Sequence, residues 1–134
     1  MTTCARQRCK TRTWNGYDLC RSHLTQLADK NFAAHVKRDG KCELAQFRPS
    51  LRCDGPLECC HIVTRSRHVT RWSPANALPG CSAHHLYFTH RRDEWRTAIN
   101  DWQPGLYDHL LLISERGTKA EAQAEAQAEM EVWL

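Results

Sequence analysis

Apolar residues at Leu24, Leu27, Ala28, Phe32, Ala33 and Val36 recur at the three- and four-residue intervals of one helical face, and Asp39-Gly40 closes the run. The spacing predicts a linking helix from Leu24 to Lys37, with Asn31 as the point where it could break. Two short segments, Lys41 to Ala45 and Glu58 to Thr64, read as strands separated by a loop with Pro49, Asp54-Gly55 and Pro56. A long loop through Trp72, Pro74 and Pro79 then holds Asn76. Helical patterning returns at Ser82 to Thr89, at Asp93 to Asp101 and at Gly105 to Leu112, whose apolar face should close the core. Thr118 and Glu121 have the spacing of a capping box, and the Ala/Glu/Gln repeat behind them favours helix without a broad apolar face. That is the pattern of an exposed or fraying helix, whose terminal Val132-Trp133-Leu134 could dock on the body or on a partner.

The pattern leaves material for one modest core: 134 residues, 41% of them hydrophobic. Small cores need staples, and eight cysteines with eight histidines can supply them as disulfides or as metal sites. No charged n-region followed by an apolar h-region opens the chain, and no apolar run approaches membrane-spanning length. A cytosolic protein with reduced, metal-bound thiols and no membrane partner is the expectation. Residues 4 to 23 give it a form: Cys4-x4-Cys9-x10-Cys20-x2-His23, two ligand pairs around a polar loop with Asn15-Gly16. Four such ligands close a zinc tetrahedron, and a segment too short to bury a core gains its fold from the metal.

Charge is unevenly spread. Residues 115 to 134 hold five acids and two bases, which leaves 17 bases and 10 acids, a net +7, on residues 1 to 114. The excess is grouped at Arg6, Arg8, Lys10 and Arg12, at Arg65, Arg67 and Arg71, and at Arg91, Arg92 and Arg96. Such grouping is the footprint of a phosphate-backbone binder, although any single group alone reads as a solvated face.

Between Glu58 and His90 the chain sets His61, Asn76 and His85 in order, with a Cys81-x-x-His84 pair before the last. Around them stand His61-Ile62, an Arg-rich turn, Arg71-Trp72, Pro74-x-Asn76 and Leu78-x-x-Cys81. This stretch, over about residues 39 to 110, resembles the HNH endonucleases, in particular their phage-type members. The resemblance implies a small α+β, metal-stabilised fold: a ββα-metal core with an N-terminal zinc knuckle and C-terminal helices. The corresponding segments are the knuckle at 1–24, the linking helix at 25–38, the nuclease core at 39–114 and an Ala/Glu-rich helical tail at 115–134.

By the same resemblance His61 is the general base, Asn76 ties the connecting loop together, and His85 holds one divalent ion that polarises the phosphate. Arg65, Arg67 and Arg71 would grip phosphates of DNA. Relatives often carry Asp or His before the base, where this chain has Cys60. Thiolate is a poor ligand for Mg²⁺, so either a softer ion such as Mn²⁺, Ni²⁺ or Zn²⁺ is used or Cys60 points away; His90 is a further candidate ligand. Cys42, Cys53, Cys81 and His84 fall where phage-type members clamp the finger with a second structural zinc, with Cys59 as a substitute for Cys53. His35, His68 and His109 read as surface or satisfied core residues.

The leading expectation is a metal-dependent DNA endonuclease of phage or prophage type, working in the bacterial cytosol. The C-terminal helix would be its contact for a second copy or a phage protein. The alternative is a zinc-stabilised nucleic-acid-binding module whose nuclease site has decayed, with a disulfide-rich secreted domain as a distant third.

Overall fold

The computed structural model describes residues 2–64, 68–115 and 117–134, with His68 by its backbone alone. Helix α1, Arg21–Val36, runs through Asn31 without a break and buries Leu24, Ala28, Phe32 and Val36 at successive four-residue steps. The expected break is absent because Asn31 sits on the outer side and uses its amide to donate to the Trp133 carbonyl, 2.6 Å away. Gly40 follows with φ +69°, a conformation that suits a residue without Cβ.

The first expected strand is corrected. Lys41 to Ala45 does not pair; Glu43–Phe47 forms a 3₁₀ turn whose Leu44 is fully buried. The sheet is instead built from β1, Leu57–His61, and β2, Ala77–Cys81, which lies inside the segment expected to be loop. They pair antiparallel from Leu57 opposite Cys81 to His61 opposite Ala77. Pro79 hides β2 from sequence reading, since proline lacks the ladder donor, yet in a two-stranded sheet each strand has an open edge that tolerates it. Gly80 is needed for closeness: a Cβ there would come within 2.8 Å of the Leu44 side chain and 2.9 Å of Cys60 Sγ.

The short helix α2, His68–Arg71, lies between the strands in sequence, and α3, Ser82–Thr89, leaves β2 directly. Helices α4, Arg92–Trp102, α5, Leu106–Glu115, and α6, Lys119–Glu131, complete the chain. The two faces of the sheet separate two apolar clusters, because neighbouring strand residues point to opposite sides. Cys60 and Leu78 join Leu44, Ile62, Phe88, Trp95 and Ile99 on one side. Ala77, with Cys59 at its margin, joins Phe32, Trp72, Ala126 and Met130 on the other.

The C-terminal helix is thus part of the second cluster and not a fraying appendage. Thr118 and Glu121 form the capping box that the sequence predicts. At the far end Trp133 packs edge-on to Phe32 at 5.2 Å and donates from Nε1 to the Trp72 carbonyl at 3.0 Å. Among the described residues no helix is long and apolar enough to cross a membrane.

Candidate functional site

Two groups of three cysteines and one histidine converge, each with its four ligand atoms within 4.8 Å of one another. The first is Cys4, Cys9, Cys20 and His23. Its loop is shaped by a bridge between Thr3 and Arg12 and by positive φ at Asn15 and Gly16, which turn the chain back so that Cys20 meets Cys4. Cys4 and Cys20 Sγ lie 3.2 and 3.3 Å from His23 Nδ1, and Cys9 Sγ lies 3.9 Å from Cys20 Sγ. Tetrahedral zinc with its usual bond lengths sets sulfur atoms about 3.8 Å apart and sulfur to nitrogen about 3.5 Å, so the donor set fits that ion.

The second group is Cys42, Cys53, Cys81 and His84, with Cys53 and not Cys59 in the set. Cys81 Sγ is 3.1 Å and Cys53 Sγ 3.7 Å from His84 Nδ1. His84 is fully buried, and its Nε2–H donates to the Arg48 carbonyl at 3.1 Å. That bond fixes the tautomer and presents the Nδ1 lone pair to the thiols. Burial acts upward on the Cys81 thiol, but hydrogen bonds, first among them the one from the His84 amide, outweigh it and hold the thiol below its ordinary range.

Both groups use one local device. A cysteine stands immediately before a helix, Cys20 ahead of α1 and Cys81 ahead of α3, and a histidine follows one turn later on the same side. Among the described residues no disulfide joins any of the eight cysteines. Cys20→Ala should lower bound zinc from two equivalents to one and unravel residues 2 to 20, while the core keeps its cooperative melt. Metal analysis and circular dichroism on the same sample check this.

Away from these groups, a cavity of about 490 Å³ is lined by His61 and Glu58 from β1, His85 and Thr89 from α3, Phe32 from α1, and Arg92. His61 Nε2–H donates to the Arg71 carbonyl at 2.7 Å, and its ring stacks on Phe32 with centroids 5.8 Å apart. His85 Nδ1 lies 2.9 Å from Glu58 Oε1, and its side chain is 38% exposed. Asn76 is fully buried. Its Oδ1 accepts from the Val63 amide at 2.8 Å, and its Nδ2 donates to the Val63 and Thr70 carbonyls at 2.9 and 3.0 Å. It thereby ties the end of β1 to α2, the stitching that the sequence predicts for it.

Other expected site residues fall elsewhere. Cys60 is not a ligand in this cavity: adjacent strand residues face opposite ways, so its thiol lies in the apolar cluster with Leu44, where burial pushes it far above the ordinary thiol range. His90 is exposed at the end of α3 and does not line the cavity. Arg71 is not held out for a phosphate; its guanidinium makes a two-pronged bond to Asp29, at 3.0 and 2.5 Å, with Trp72 Nε1 donating to the same carboxylate. Arg65 and Arg67 lie outside the described residues.

Sequence reasoning missed Glu58, Phe32 and Asp29 and gave Arg92 no place in the site. Glu58 alone left a trace, as a carboxylate on the strand that delivers His61. No family model, no curated protein and no solved structure matches this chain.

Proposed function

We propose that the chain is a metal-dependent endonuclease of the HNH type, hydrolysing phosphodiester bonds of DNA, with zinc in its two Cys3His groups as structural support. The observation that carries this reading is the meeting of His61, His85 and Arg92 around one cavity, with a buried asparagine tying the end of the His61 strand to α2. The order β1, β2, α3 along the chain agrees with the ββα arrangement that the reading requires.

Each residue has a task that follows from its bonds. Because His61 donates from Nε2 to a carbonyl, its neutral ring carries the lone pair on Nδ1, where it can take a proton from an attacking water. The imidazolium so formed keeps the Nε2 bond, so the ring need not reorient. His85 donates from Nδ1 to Glu58, which leaves Nε2 as a ligand atom and fixes the ring's orientation. A divalent cation held there would polarise the phosphoryl group and offset charge on the leaving oxygen. Arg92 donates from Nη2 to the Ile62 carbonyl at 3.2 Å, which holds a guanidinium at the cavity wall for a phosphate oxygen. With Cys60 turned inward, imidazole and carboxylate surround the cation together with the Cys59 thiol in the cavity wall, a set open to Mg²⁺, Mn²⁺, Ni²⁺ and Zn²⁺.

The inward Cys60 also favours a second reading, a zinc-stabilised nucleic-acid-binding module without catalysis, because the cavity then offers few ligands. A cation titration of plasmid nicking separates the two. His85→Ala should abolish nicking at every cation concentration, and Glu58→Gln should raise the concentration needed by about 10- to 100-fold, as loss of a ligand's orienting partner does. Wild-type nicking that ignores both changes would remove His85 from the reaction.

A further inference from the structure

A second recess has no part in the chemistry above. It lies between α1 and α6, has a volume of about 760 Å³, and shares Asp29 with the His61 cavity, so the two depressions adjoin at that residue. Arg21 stands in its wall on α1, with its guanidinium 5.6 Å above the half-buried Trp14 ring, and Arg71 stands at the junction. Asp29 is its one carboxylate, and Asp29 is already neutralised by Arg71 and Trp72.

The partition of side chains on α6 is the informative part. The helix repeats acid and amide along its length, and the side facing this recess carries Gln123, Gln127, Ala126 and Met130. Glu125 and Glu129 face a different depression, formed with α2 and α5. A helix that only needed solubility could present carboxylates on every exposed side. Within the recess this one offers amides opposite Arg21, groups that hydrogen-bond to base edges without repelling phosphates, and its one acid on that stripe, Glu131, stands a turn beyond the lining and accepts from Gln127 Nε2 at 3.4 Å.

We propose that the recess between α1 and α6 holds an unpaired stretch of nucleic-acid strand adjoining the segment in the His61 cavity, with Arg21 meeting its phosphates and Gln123 and Gln127 its bases. The proposal deepens the nuclease reading by giving its site a substrate class, a strand that is single-stranded beside the scissile bond. Base edges accept such contacts when bases are unstacked and splayed, which a single strand permits and a duplex does not.

The test measures binding, not cleavage. Fluorescence anisotropy of a labelled single-stranded oligonucleotide, and of its duplex, is followed at low salt without added divalent cation. The proteins are wild type, Gln123→Glu/Gln127→Glu and Glu125→Gln. The substitutions are isosteric and on exposed or half-buried helix positions, so a retained melting curve confirms that each variant is folded. The double variant should bind the single strand about tenfold more weakly, with a shallower salt dependence, while Glu125→Gln stays within about twofold of wild type.

Equal binding by wild type and the double variant overturns the proposal. So does a gain in Glu125→Gln as large as one glutamine substitution costs, which would mean overall charge and not this face. Tighter binding of duplex that is equally sensitive to the double variant overturns the single-strand assignment. Failure of the nuclease reading is seen separately, as a folded wild type that binds through this face and cuts nothing.

Discussion

His84→Ala is expected to release one zinc equivalent and abolish the cooperative melt of the whole core. The His84 ring is fully buried, is bonded through Nε2 to Arg48, and meets Cys81 and Cys53 through Nδ1. Its removal therefore undoes three things together: a ligand, the tie from the first residues of α3 to the segment at Arg48, and a filled volume beside the sheet. Zinc binding by such sets is worth about 10–16 kcal/mol in small domains, whereas the net stability of a domain is about 5–15 kcal/mol, so the folded state cannot absorb the loss. Circular dichroism with metal analysis checks this. A variant that still melts sharply within a few degrees of wild type would show the second Cys3His group to be dispensable. The contrast with Cys20→Ala is informative, since that change should cost the other zinc and only the N-terminal loop.

His61→Ala should lower the rate of DNA cleavage by about 10²- to 10⁴-fold, the usual contribution of a positioned general base. Zinc content and DNA affinity should stay near wild type. His61 belongs to neither Cys3His group, and its ring meets Phe32 at the cavity wall instead of filling a core cluster. Parallel rates, metal analysis and anisotropy on the purified variant decide the matter. If fold and zinc fall with activity, His61 is a structural residue and the assignment of the base is wrong.

The ligand groups were the most legible part of the chain, because a zinc site constrains local spacing: Cys20-x2-His23 and Cys81-x2-His84 each describe one helical turn. The bonding of Asn76 to loop backbone was legible only through the resemblance of the stretch around it, since a polar residue beside Pro74 and Pro79 reads equally as a turn former and its burial shows only in the fold. Helices α3 and α4 fell within a residue of their expected bounds, since their apolar spacing is regular.

What stayed hidden depends on distance in sequence. The Arg71–Asp29 pair spans 42 residues, so nothing near Arg71 tells that its charge is spent internally. The docking of Trp133 on Phe32 and Trp72 joins the last turn of the chain to α1 and to the residue after α2; the sequence offered Val132-Trp133-Leu134 for docking on the body or a partner but not the residues that receive it. Cys60 is the instructive case. Once His61 is set on a strand and faces the cavity, strand alternation sends Cys60 to the opposite side and brings Cys59 round to the cavity wall, a step available from residues alone.

The central claim, that this fold cuts DNA with a cation at His85, is tested most directly by incubating supercoiled plasmid with the wild-type protein in EDTA and in Mg²⁺, Mn²⁺, Ni²⁺ and Zn²⁺, and resolving nicked from linear product. The account predicts cleavage in at least one cation and none in EDTA, with 5′ phosphate and 3′ hydroxyl ends. Intact plasmid in every cation, from protein that is folded, zinc-loaded and bound to the DNA, would contradict it and leave a nucleic-acid-binding module in its place.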